Sequence, residues 1–192
     1  MYRNFRLILV LAGIGALVPK EAGSAGRQER TRLDYPLYCA GIVVGMTTDR
    51  DVIRMYGRGL FVKSEGHGGG RYYVDAQRTC TLHVEIGVDS YIESVSYGKG
   101  VRLPASLRKE LGKASPPSLS SKEWIGTGMG LEDTAAAVLR QLGKPTSDHR
   151  SGKGRVIRYE TDYHRNPYVL VYESRWEFVG DRLVAVQLYN GE

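Results

Sequence analysis

Apolar and polar positions along this chain follow two periods, and the same succession occurs in each half. In the first half Val52, Ile53 and Tyr56 fall on one helical face. Thr48 stands before them with Asp51 three residues on, a capping-box arrangement, and Gly57 supplies a left-handed stop. In the second half Val138, Leu139 and Leu142 make the stripe, Asp133 is the expected cap, and Gly143 with Pro145 beyond it ends the run. Each segment predicts a short amphipathic helix. After each helix the period drops to two, the mark of a half-buried strand. Strands are expected at 60–64, 71–75, 80–86 and 91–97, then at 155–161, 169–178 and 182–189. Leu82, Val84 and Ile86 alternate with Thr81, His83 and Glu85, while Trp176 and Phe178 alternate with Glu173, Arg175 and Glu177.

Between the halves lies a seam of different composition. Gly98-Lys99-Gly100 is followed by Pro104 and by the run from Ser115 through Pro116, Pro117 and Ser118 to Ser121. Proline removes backbone donors and serine competes for them, so the later part reads as an extended connector. Pro104 to Leu111 reads as a short helix with Gly112 after its end. The expected organisation is a targeting segment at 1–25, a helix-plus-sheet repeat at 26–100, a basic Pro/Ser-rich connector at 101–122 and a second repeat at 123–192. The fold class is then α+β: two tandem units, each a short helix packed on its own small antiparallel sheet.

Gly45-Met46-Thr47, a short helix closed by Gly57 and a following antiparallel meander resemble the outer-membrane assembly factor BamE (SmpA/OmlA) family. A tandem, secreted copy of that unit is similar to the β-lactamase inhibitor protein family. The resemblance spans most of residues 42–97 and 125–190 and implies a surface that binds another protein. It departs from both families. BamE proteins carry a lipid-anchoring N-terminal cysteine, whereas no cysteine follows the apolar run here. The inhibitors have a disulfide in each repeat, and this chain has only two cysteines. No inhibitory contact residue of that family matches a position here.

Composition and charge narrow the setting. Arg3 and Arg6, the twelve apolar positions from Leu7 to Val18, and small residues to Ala25 have the layout of a secretory signal, cut after Ser24 or Ala25. A membrane-spanning helix needs about 20 apolar residues, so export to the periplasm or medium is expected rather than anchoring. The net charge of +6 is concentrated in the connector, where Arg102, Arg108, Lys109, Lys113 and Lys122 face only Glu110. Such a run is either a solvated connector or a patch for anionic lipid. A nucleic-acid binder carries its basic excess on a folded face, so that class is set aside.

The candidate chemistry is sparse. Cys39 and Cys80 are expected to form a disulfide in an oxidising compartment, the alternative being a catalytic thiol. His67, His83, His149 and His164 have no metal-ligand spacing, and Gly66-His67-Gly68-Gly69-Gly70 lacks the Lys-Ser/Thr of a phosphate loop. The Ser106-x-x-Lys109 motif lacks the companion elements of penicillin-recognising enzymes. No catalytic residue, metal or cofactor is assigned. The expectation is a non-enzymatic, exported protein-binding module of the bacterial envelope, with a small envelope hydrolase or a lipid-touching structural protein as alternatives. Its partner, another envelope or secreted protein, is expected on the strand face away from the helices: Thr81, His83, Glu85, Glu173, Arg175 and Glu177. Either interface use or β-propensity accounts for the abundant tyrosines.

Overall fold

The computed structural model describes residues 38–64, 68–99, 101, 103, 105–110, 119, 125, 128–165 and 168–191. The expected signal segment and most of the extended connector lie outside them. In chain order the elements are β1 (Tyr38–Cys39), β2 (Ile42–Val43), α1 (Asp49–Tyr56), β3 (Leu60–Val62), β4 (Gly69–Val74), β5 (Thr81–Ile86) and β6 (Ile92–Gly98). Then follow α2 (Ala105–Glu110), α3 (Ala135–Leu142), β7 (Ser147–Ser151), β8 (Gly154–Arg165), β9 (Tyr168–Val179) and β10 (Arg182–Gly191).

Helix α1 begins as the sequence predicts. Thr48 Oγ1 accepts from the Asp51 backbone N–H, and Asp51 Oδ2 accepts from the Thr48 N–H at 3.2 Å. Helix α3 is capped by Thr134 rather than Asp133: its hydroxyl oxygen accepts from Ala137 N at 3.1 Å. The Asp133 carboxylate is already engaged, accepting from Gly130 N in the turn before the helix. Gly57 and Gly143 end the two helices at φ 79° and 81°, a region closed to most side chains.

The tandem-unit fold is corrected by the sheet. Eight strands form one continuous antiparallel sheet in the order β3-β4-β5-β6-β10-β9-β8-β7. The chain is mostly β, and the two halves do not keep separate sheets. The physical reason lies at β6 and β10. Each would be an unpaired edge if the halves stood apart, and an exposed row of backbone donors and acceptors is satisfied by another strand. Here Ser94 to Gly98 pair with Tyr189 to Ala185 across that seam. At Gly98, where φ is +148°, a side chain would fall on the Val184 carbonyl oxygen and the Ala185 backbone.

One sheet face carries the core. Tyr73, Leu82, Tyr97, Val186, Trp176 and Ile157 form a single cross-strand row from β4 to β8, and all are buried. Val52 of α1 and Ala135, Val138 and Leu142 of α3 belong to the same hydrophobic cluster, with Tyr56 and Leu139 partly buried against it. Ile53, expected in the stripe, is half-buried. The connector contributes Leu119, buried in the same cluster and bridging Asp75 in parallel, and Leu107 of α2 is buried as well.

Candidate docking surface

Strand alternation turns the other face of the sheet away from that core row. Three cross-strand rows run over its middle. The first is Thr81–Gly98–Ala185–Glu177, the second His83–Ser96–Gln187–Arg175 and the third Glu85–Ser94–Tyr189–Glu173. All six expected partner-binding residues therefore share one face. The β5 set and the β9 set are three strand spacings apart, about 14 Å at ~4.8 Å per step.

Their exposure differs along the rows. Thr81 is 7% exposed, so its side chain is not part of an accessible strip, contrary to the expectation of an exposed face. His83, Glu173, Arg175 and Glu177 are half-buried, and Glu85, Gln187 and Tyr189 are exposed. Ser94 and Ala185, between the two sets, are buried. The middle of the face is therefore mixed: Ser94 and Ala185 are covered, whereas Gln187 and Tyr189 remain open.

The charged groups are locally paired. Arg175 Nε lies 2.9 Å from Glu177 Oε1, off the hydrogen-bond axis, with both side chains more than a third exposed. On β8 Arg158 Nε lies 3.8 Å from Glu173 Oε1, and Arg158 sits directly opposite Arg175. Two guanidiniums facing each other repel, and the flanking carboxylates offset that repulsion. On β5 the Ser94 hydroxyl donates to Glu85 Oε2 at 2.7 Å. The His83 ring stacks on Tyr72 with centroids 4.1 Å apart and planes 12° from parallel. Burial pushes the His83 imidazole below the ordinary histidine range, with the Glu85 charge opposing the shift. Burial also pushes the Tyr72 hydroxyl up.

An open cleft of about 220 Å³ sits between the two sets, bordered by His83, Ser96, Glu177, Gln187 and Val101 of the connector. That is below the ~300 Å³ at which small-molecule pockets begin. It offers an imidazole, a hydroxyl, an amide and a carboxylate beside the apolar Val101, Ala185 and Val186, a mixed lining that suits side chains of a docked surface. His83 engages Tyr72 by stacking, and among the described residues no three His, Cys, Asp or Glu side chains are grouped to hold a metal ion. His149 lies on the exposed β7, whereas His67 lies outside the described residues. Cys39 and Cys80 are both buried and are not joined to each other, and burial raises the Cys80 thiol.

Tyr72, Ser96, Gln187, Tyr189 and Arg158 belong to this face but were not singled out from sequence. Their signal was present. Ser94 and Ser96 alternate with Val95 and Tyr97, as Gln187 and Tyr189 alternate with Val186 and Leu188. Comparison of the chain with protein-family models, curated proteins and solved structures finds no match.

Proposed function

We propose that this chain is an exported, non-enzymatic protein-binding module of the bacterial envelope, and that its partner docks across the sheet face bearing His83, Glu85, Glu173, Arg175 and Glu177. The observation that supports this reading is the register: two strips distant in sequence share one face and flank an open cleft of mixed polar and apolar lining. Stiff tyrosine rings at Tyr72 and Tyr189 beside charged pairs are the composition of a recognition surface. The resemblance to the BamE and inhibitor families implies the same use. The placement of Val101 at the cleft makes the connector part of the docking rim.

The test is affinity capture from the native envelope with mass-spectrometric identification, run with the original chain and with an Arg175→Glu/Glu177→Arg double variant. Exposed ion pairs contribute about 0–1 kcal/mol to stability, but charges at an interface select partners and set association rates. The variant should melt almost where the original does and lose the captured partner. Normal capture by the variant places the docking surface elsewhere.

A further inference from the structure

The two edges of the sheet are built from opposite materials. At one end β7 reads Ser-Asp-His-Arg-Ser, with every residue exposed and no apolar side chain. Asp148 there is held by Arg155 of β8 through two contacts at 2.8 and 2.6 Å. A charged edge of this kind discourages further strand pairing. At the other end β3 reads Leu-Phe-Val, with Phe61 47% and Val62 38% exposed. Among the described residues no strand pairs with its outer side.

This apolar edge is held in place before anything binds it. Arg71 of β4 donates from Nε and Nη2 to the two Asp49 carboxylate oxygens, at 2.5 and 2.8 Å. Its third nitrogen donates to the Arg58 carbonyl at 2.7 Å, just before β3. The same guanidinium lies 4.8 Å from the centroid of the Phe61 ring. Gly69 lies against that ring so closely that a side chain there would collide with it. The first turn of α1, the approach to β3 and the exposed aromatic are thus tied together by one buried-side arginine. An edge ordered in advance loses less conformational freedom when a strand joins it.

The flanks state the chemistry of the joining strand. Arg58 and Lys63 stand at the two ends of the Leu-Phe-Val run, and both are exposed. A second copy pairing β3 antiparallel with itself would bring the Arg58 end of each copy to the Lys63 end of the other, basic against basic. A strand with acidic ends and an apolar centre meets complementary charge at both ends and apolar contact between them.

We propose that β3 is a strand-addition site for an extended segment of a partner protein that carries apolar residues between acidic ones. The segment extends the sheet beyond its present edge through backbone hydrogen bonds, with alternate side chains meeting Leu60 and Val62 on one face and Phe61 on the other. The site lies on the sheet edge, apart from the face assigned above, and does not depend on that assignment.

The test uses the full chain and fluorescent peptides of alternating isoleucine and threonine, flanked by glutamates in one and by lysines in another. A third peptide repeats the glutamate form with its backbone nitrogens methylated. Fluorescence anisotropy should show binding of the glutamate form at least about tenfold tighter than the lysine form, a preference that screening by salt narrows. Backbone methylation should abolish binding. In Arg58→Glu/Lys63→Glu, both changes at exposed positions, the preference should reverse. Failure of the glutamate peptide to bind, equal binding of the methylated form, or an unchanged preference in the variant overturns the proposal. Concentration-dependent dimerisation that the glutamate peptide cannot compete away assigns the edge to a second copy and overturns it as well.

Discussion

Tyr73 and Tyr159 perform the same task in the two halves: each donates its hydroxyl to the carbonyl of the glycine that ends the preceding helix. Tyr73 reaches Gly57 at 3.0 Å and Tyr159 reaches Gly143 at 3.1 Å, each across 16 positions of chain. A helix leaves its last carbonyls without internal partners, so a buried tyrosine from the sheet both satisfies one and fixes where the helix lies. Tyr73→Phe and Tyr159→Phe should each lower stability by about 0.5–1.5 kcal/mol. Their effects should add in the double variant, because the bonds are independent. Urea denaturation of the three variants checks this, and a combined loss well below the sum contradicts it.

The seam between β6 and β10 gives a sharper test. Alanine at Gly98 would press against the Val184 carbonyl and the Ala185 backbone, neither of which can rotate away. Gly98→Ala should destabilise the whole sheet by about 1–3 kcal/mol, the usual range for overpacking. Hydrogen exchange should speed up in β6 and β10 together. Unchanged protection there would mean the seam tolerates separation.

Helix α3 offers a graded pair. Leu142 is 2% exposed, while Leu139 is only partly buried. Leu142→Ala should cost about 2–5 kcal/mol and Leu139→Ala clearly less. Thermal melts of both variants decide it, and equal losses would show that Leu139 is as deeply packed as Leu142.

His83 predicts an acid-sensitive contribution. Burial lowers its folded-state pKa, with the Glu85 charge partly opposing the shift. The unfolded chain therefore binds the proton first as pH falls. The stability His83 contributes is present above the ordinary histidine value of about 6.5 and is lost as pH drops through that value toward the lower folded one. His83→Gln should flatten the urea midpoint against pH below about 6.5. An unchanged slope would remove His83 as the cause.

The proposed export and the cysteine pair motivate one redox prediction. Buried thiols react slowly in the native protein, so native titration cannot distinguish a bridge from two thiols. Protein isolated from the envelope, denatured without reductant, should show no reactive thiol. Two thiols under those conditions contradict the expected disulfide.

Much of the local structure was legible because it is written in side-chain period. The Thr48–Asp51 box, the stops at Gly57 and Gly143, and the shared face of the β5 and β9 strips need only nearest neighbours and alternation. Strand β7 was missed because Ser147 to Ser151 bury nothing; pairing with β8 and the Arg155–Asp148 contact hold it. The merged sheet was missed for another reason. Alternation in Ser94–Gly98 and Ala185–Tyr189 assigns faces, but it does not say which strand lies at each edge. Thr81 was placed on the right face and wrongly exposed, because a period cannot show what covers a strand end.

The position of β10 has a consequence for when this protein can take shape. Among the described strands β10 comes last in sequence, yet it is a central strand in space, lying between β6 and β9. As the chain is delivered N-terminal end first, the stretch ending at Gly98 is available before Arg182 is. Until then β6 is an open edge beside a half-built core. Closing the seam is therefore a late, long-range event that slows folding and leaves the incomplete chain open to wrong pairings. Whatever shields β6 during that interval governs the yield of folded protein.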